Sequence, residues 1–184
     1  LKQLETCASE DISGALSMLK HAIFLNGPVG VGKTTLGRAL AEEIGGGFID
    51  GDDHSAPNRP WYGSILQTSR SILATGLSVL ENHPSVVIAY PLGCVNWIYH
   101  KRKFEEAGIR PLFVGLRASY EGIVSPMRSR EFSIAEQARI KIMLREGYCE
   151  RPFNDLVIDT DAMPFDMTVQ HLKTAITGAM QIPF

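Results

Sequence analysis

The chain has 184 residues, enough for one domain with a full core. Its residues are 45% hydrophobic and 21% charged with a formal net charge of −2, and Lys and Arg are dispersed along it, so nothing resembles a nucleic-acid footprint. No apolar run approaches the roughly 20 residues of a membrane-spanning helix, so neither nucleic acid nor membrane is an expected partner.

Ile12, Leu16 and Leu19 fall at helical spacing and predict an N-terminal helix. Leu1-Lys2-Gln3-Leu4-Glu5 carries no signal-peptide apolar core. Cys7, Cys94 and Cys149 are isolated, without a C-x-x-C pair, which argues against a disulfide framework or zinc site and for a cytoplasmic protein. Ala22-Ile23-Phe24-Leu25 reads as a first buried strand. Leu36, Leu40 and Ile44 then line one face of a helix, which Gly45-Gly46-Gly47 stops. Phe48-Ile49-Asp50 is a second strand, residues 61–80 a long helix, and Val86-Val87-Ile88-Ala89 a third strand. A helix runs through Trp97, Ile98 and Phe104, followed by a fourth strand at residues 112–116. Helices at 120–128 and 134–145, a fifth strand at 156–159 and a helix carrying Val169, Leu172 and Ile176 complete the chain. Short apolar strands alternating with helices predict a three-layer α/β fold. It is a single domain over residues 1–184, with a five-stranded parallel sheet covered on both faces. Ligands of such a sheet sit at the carboxyl ends of its strands.

Between the first strand and its helix lies Gly27-Pro28-Val29-Gly30-Val31-Gly32-Lys33-Thr34, which fits G-x-x-x-x-G-K-[ST], the phosphate-binding P-loop. Glycines let backbone N–H groups converge on phosphate oxygens, and the helix N-terminus adds positive potential. Gly27, Val29, Gly30, Val31, Gly32, Lys33, Thr34 and Thr35 are therefore the expected nucleotide contacts. Lys33 is placed to reach the β- and γ-phosphates, and the Thr34 hydroxyl to ligate Mg²⁺.

The second strand ends in Asp50-Gly51-Asp52-Asp53-His54, on the same sheet edge as the P-loop. Phosphoryl transfer needs a held Mg²⁺ and a group that orients or deprotonates the attacking hydroxyl, tasks that Asp50 and Asp52 are placed to divide. His54 is a candidate substrate contact.

The P-loop, the segment 48–54 and Asn58-Arg59-Pro60-Trp61 together resemble gluconate kinases, which carry a D-G-D segment with a nearby His and then D-R-x-P-W-L. Shikimate kinases are similar in carrying D-S-D at that place and an ending like Asp155-Leu156-Val157-Ile158-Asp159-Thr160. The resemblance implies a nucleoside-monophosphate-kinase-like fold with a lid at about 128–145, ATP and Mg²⁺ as co-substrates, and a small hydroxy acid as acceptor. It implies Asp50 as a metal residue with Thr34, Asp52 facing the acceptor hydroxyl, and Arg59 in the acceptor pocket. Trp61 and Arg145 are further candidate acceptor contacts, and a monomer or homodimer is expected. Arg128 and Arg130 flank the lid, where an Arg neutralises charge on the transferring phosphoryl group. The chain departs from both patterns after the third strand, where Tyr90-Pro91-Leu92-Gly93 lacks the basic contact of gluconate kinases and the glycine triplet of shikimate kinases. The Arg that stacks on adenine in these families is matched by Pro126, with Arg128 two residues on.

A guanine switch is disfavoured, because no N-K-x-D segment is present. A motor ATPase is disfavoured too, because the third strand ends Ile88-Ala89-Tyr90 without a metal-binding Asp. The expected function is ATP-dependent phosphorylation of a small hydroxy acid. The alternatives are a nucleoside or nucleotide kinase, an antibiotic phosphotransferase and a nucleotide-binding regulator without catalysis.

Overall fold

The computed structural model describes residues 19–55, 61–128 and 130–181, with backbone alone at 61–63. The predicted N-terminal helix lies outside these residues except for Leu19, which is exposed and precedes the first strand. In chain order the elements are β1 (His21–Asn26), α1 (Lys33–Glu43), β2 (Gly47–Asp50), α2 (Trp61–Asn82) and β3 (Ser85–Ala89). Then come α3 (Cys94–Glu106), β4 (Arg110–Arg117), α4 (Tyr120–Ile123), α5 (Ile134–Arg145), β5 (Leu156–Asp159) and α6 (Phe165–Met180). Single 3₁₀ turns follow β2 at Gly51–His54 and α4 at Pro126–Arg128.

The five strands form one parallel sheet in the order β2-β3-β1-β4-β5. β1 is central because it is apolar on both faces. Ile23 and Leu25 pack with Leu36 and Leu40 of α1 and Leu172 and Ile176 of α6. Ala22 and Phe24 point the other way, toward Ile72 and Leu80 of α2 and Phe104 of α3. This period-two division explains why β1 and β3 read as continuous apolar runs rather than alternating ones. Each fully buried Leu or Ile in these layers contributes about 1.5–3 kcal/mol. The chain moves to opposite sides of β1 after it leaves β1 and β3. The carboxyl end of β1, where the P-loop begins, is therefore a crevice at a switch point of the sheet.

Two details differ from the sequence expectation or sharpen it. The helix expected at 120–128 stops after Ile123, and a separate 3₁₀ turn carries Pro126 to Arg128. Pro126 lacks an N–H and disfavours helical geometry at Ser125, so one helix cannot run through both. Helix α1 ends as expected, with Gly45 beyond its last turn at φ +64°, a left-handed conformation that glycine adopts without strain.

His100 of α3 is fully buried against the rings of Phe24 (4.9 Å between centroids) and Phe104, and neither ring nitrogen has a hydrogen-bond partner. Burial lowers its pKa to about 4. The native state thus holds His100 neutral while the unfolded chain protonates it near pH 6.5. Its contribution is fully present above pH 6.5 and is lost as pH falls toward 4, by up to about 3 kcal/mol. Urea unfolding of wild type and His100→Phe at pH 7 and pH 5 checks this. The variant is expected to lose much less stability on acidification, and equal losses in both proteins would contradict it.

Candidate active site

The P-loop runs from β1 to α1 over a cleft of about 820 Å³, within the range of a small-molecule site. Gly30 has φ +79°, and a Cβ there would lie 2.8 Å from Ile123 Cγ2 and 2.9 Å from Phe132 Cε1. Only glycine fits between the loop and these two side chains. Lys33 folds back along the loop, donating from Nζ to the carbonyls of Gly27 (3.1 Å) and Pro28 (2.7 Å). Burial lowers its pKa to about 8, a shift that nearby Asp52 and Asp50 oppose and Arg130 reinforces.

The end of β2 meets the start of α1. Thr34 Oγ1 donates to Asp50 Oδ2 at 2.9 Å, while Asp50 Oδ1 accepts from the backbone N–H of Asp52 at 3.2 Å and caps the 3₁₀ turn. The turn places Asp52 at the cleft beside Lys33. Desolvation raises the Asp52 carboxyl above its usual range; Lys33 opposes this, and Asp50 and Asp53 add to it. Among the described residues no three His, Cys, Asp or Glu side chains cluster as a metal site. Thr34 and Asp50 instead offer two hard oxygen donors, a set that suits Mg²⁺, which keeps several waters.

Arg128 is held on the opposite side of the P-loop. Its Nη1 donates to Val31 O at 3.0 Å, and its Nη2 to Thr160 O (3.3 Å), Thr160 Oγ1 (3.1 Å) and Asp161 Oδ1 (2.8 Å). It braces the loop against the chain that leaves β5. Asp161 in turn accepts from the N–H and Oγ of Ser119 at 2.7 and 2.8 Å. Arg130 is freer. Its guanidinium lies over the Phe132 ring at 4.8 Å and donates to Glu136 Oε1 at 2.9 Å. Glu136 is fixed in the capping box that Ser133 makes at the start of α5.

Of the residues singled out in the sequence, Val29 to Thr35, Asp50, Asp52, Arg128 and Arg130 all line the cleft, and Gly27 lies beneath it as an acceptor for Lys33. His54 does not line it; its Nδ1 pairs with Ser71 Oγ of α2 at 2.8 Å. Arg145 is exposed at the end of α5 and does not line it either. Arg59 and the side chain of Trp61 lie outside the described residues. The sequence reading did not single out Asn26, Phe132, Thr160 or Asp161. Asn26 is fully buried at the end of β1, where its Oδ1 accepts from Leu92 N at 2.8 Å and its Nδ2 donates to Asn154 Oδ1 at 3.3 Å. A polar residue closing the apolar run His21–Asn26 was the available signal. Tyr90 follows β3 with its ring against Gly51. Burial first, then Asp52 and Tyr148, raises its hydroxyl pKa.

The shikimate kinase of Bordetella avium (strain 197N) is 31% identical to this chain over 170 residues, covering 84% of the chain and 79% of the relative. The chain belongs to the shikimate kinase family. Its fold is shared with a gluconokinase from Sinorhizobium meliloti 1021, with a TM-score of 0.65 at 20% identity over 89% of this chain and 95% of the other. The fold is also that of the shikimate kinase from Acinetobacter baumannii in complex with shikimate, with a TM-score of 0.59 at 17% identity over 92% and 99% of the two chains. No family model matches the chain. As a member of the shikimate kinase family it is a P-loop kinase that uses ATP to phosphorylate a hydroxyl group of a small molecule. No helix among the described residues is long and apolar enough to cross a membrane.

Proposed function

We propose that the chain transfers the γ-phosphoryl group of ATP to a hydroxyl of shikimate or a closely similar small anionic hydroxy acid. The observation that carries this reading is the pairing of the P-loop with the Asp50–Asp52 turn across one sheet edge, which brings a phosphate cradle and a carboxylate into one cleft. The curated relatives are shikimate kinases, which supports shikimate as the first acceptor to test.

The residues then divide the work. Backbone N–H groups of Gly30 to Thr35 bind the phosphates, and Lys33 leaves its carbonyl partners for the β- and γ-phosphate oxygens. Thr34 and Asp50 would hold Mg²⁺, which would supply positive charge to offset that of the phosphates. Asp52 accepts the proton of the attacking hydroxyl, and its raised pKa makes it a better base than an ordinary carboxylate. The acceptor oxygen bonds to the γ-phosphorus, the bond from that phosphorus to the β–γ bridging oxygen breaks, and ADP leaves. Asp52 returns its proton to water.

Arg130 is our choice for the arginine that meets the transferring group. It is more exposed than Arg128, has one ion-pair partner, and acts electrostatically on both Lys33 and Asp52. Arg128, braced by four hydrogen bonds, keeps the loop in shape. Residues from Arg128 to Arg145 serve as the lid. Arg59, by the family resemblance, pairs with the acceptor carboxylate in the bidentate manner that a guanidinium allows. Trp61, by the same resemblance, belongs to that side of the pocket, whereas Arg145 stands away from the cleft, and His54 steadies the turn through Ser71. The isolated cysteines, two of them free among the described residues, suit the cytoplasm.

Initial rates of ADP release test the proposal, measured with ATP, Mg²⁺ and a panel of shikimate, gluconate, nucleosides, nucleotides and aminoglycosides. A hydroxy acid, shikimate first, is expected to give the highest kcat/KM. Preference for a nucleoside, nucleotide or aminoglycoside would contradict the acceptor assignment.

A further inference from the structure

A peptide group is planar and trans, so its C=O and its N–H point in opposite directions. A side chain that holds one carbonyl therefore also aims the next residue's N–H. The peptide joining Val31 to Gly32 in the P-loop is free to turn on its Gly32 side, where φ is +103° and glycine accepts either sign. Its carbonyl, Val31 O, accepts from Arg128 Nη1 at 3.0 Å. The Gly32 N–H is thereby turned away from Arg128. It donates to no described residue, and Gly32 lines the cleft.

Arg128 does not keep this aim unaided. Its Nη2 donates to both oxygens of Thr160 and to Asp161 Oδ1, and the bond to Asp161, at 2.8 Å, is the shortest and the one that pairs opposite charges. Asp161 is itself aimed. Its other oxygen, Oδ2, accepts from Ser119 N at 2.7 Å and from Ser119 Oγ at 2.8 Å. Ser119 Oγ accepts from Gly122 N at 2.9 Å and so caps α4. The carboxylate lies so close over α4 that a Cβ at Gly122 would overlap it. One oxygen of Asp161 thus belongs to the start of α4 and the other to Arg128. The side chains of Arg128 and Asp161 are 24% and 29% exposed, so their pairing adds little to global stability. What it sets is direction.

By charge alone Asp161 is a poor neighbour for a triphosphate, and its removal should tighten the binding of a polyanion. We propose that Asp161 is a positioning residue for the phosphate site: through Arg128 it pins the Val31–Gly32 peptide with the Gly32 N–H turned toward the bound phosphates. Ser119 serves the same relay by fixing the carboxylate. The inference rests on the nucleotide site at the P-loop proposed above and is indifferent to the acceptor. It has Asp161 act on the phosphates and not on the base.

The test is competition of ATP, GTP and inorganic tripolyphosphate, each with Mg²⁺, against a fluorescent ATP analogue bound to the full chain. It needs no acceptor. Asp161→Ala is expected to weaken all three by a similar factor, about 5–10-fold, against the direction of the charge effect. Asp161→Asn keeps an oxygen for Arg128 and is expected to lose less, and Ser119→Ala to lose about twofold. Arg128→Ala removes a cation as well and is expected to lose more than Asp161→Ala. In its background Asp161→Ala is expected to cost nothing further, because the relay is already broken. Unchanged or tighter binding by Asp161→Ala, or additive losses in the double variant, would overturn the inference. So would a loss confined to ATP and GTP with tripolyphosphate unaffected, which would place Asp161 at the base. Failure of every triphosphate to bind wild type would overturn it together with the nucleotide site. The expected pattern in a protein that refuses every hydroxy acid would leave the inference standing and overturn only the acceptor assignment.

Discussion

Lys33→Ala is expected to lower turnover by at least about 10³-fold, because it removes a positive charge that stabilises the transferring phosphoryl group, an effect worth several kcal/mol in a water-poor site. Steady-state kinetics of the purified variant check this, and near-normal turnover would contradict the assignment of Lys33. Loss of fold is not the expected cause. Burial holds the Lys33 pKa near 8, below its value in the unfolded chain. Below pH 8 the folded state therefore carries an ammonium that it disfavours, and stability rises with pH from 8 toward 10 as the unfolded chain alone remains protonated. Replacing Lys33 by Met removes that penalty, so the variant should be at least as resistant to urea as wild type at pH 7. A functional residue that strains the resting fold is a common trade between stability and activity.

The second large effect concerns the carboxylates. Asp52→Asn is expected to lower kcat by about 10²-fold or more while leaving ATP affinity nearly intact, as fits a group that acts on the acceptor proton. The pH dependence follows the direction of the Asp52 shift. Its carboxyl is raised above the usual range, so wild-type activity falls as pH drops and the carboxylate takes up a proton it must instead accept from the substrate. In Asp52→Asn that acidic limb should vanish from the kcat profile. Asp50→Asn should instead raise the Mg²⁺ concentration needed for half-maximal rate, because Asp50 is the carboxylate that meets Thr34. If both variants lost only ATP affinity and reached full rate at saturation, the division of labour between Asp50 and Asp52 would be wrong.

The parts of the fold that could be read from the sequence are those governed by local pattern. β1 and β3 are apolar runs because both their faces are covered, and their places in the chain followed from that, whereas β4 extends to Arg110–Arg117, beyond the expected 112–116, and the order of the strands in the sheet was not legible. The P-loop was readable because its glycines and Lys33 act through backbone geometry within eight residues. Asp50 and Asp52 were readable because they end a strand on the same edge. What escaped depends on contacts between distant segments. The hydrogen bond from Arg128 to Val31 spans 97 residues, and those from Ser119 to Asp161 span 42. Composition near Arg128 gave equal reason to treat it as a mobile lid residue, and only the packed structure shows that it braces the loop. His54 escaped in the other direction. Its place in an acid-rich loop suggested the substrate, whereas the 3₁₀ turn directs its ring onto α2. The stop after Ile123 was written in Pro126, whose missing N–H outweighed the helical spacing around it.

The central claim is that one cleft joins a nucleotide triphosphate to a small hydroxy acid. Mass spectrometry of the reaction product tests it most directly, with purified chain, ATP, Mg²⁺ and shikimate, gluconate and a nucleoside in one mixture. The account predicts that a hydroxy acid, shikimate first, gains one phosphoryl group while ADP appears in equal amount, and that Asp52→Asn forms little of that product. A phosphorylated nucleoside with every hydroxy acid unchanged, or ADP and free phosphate alone, would contradict it.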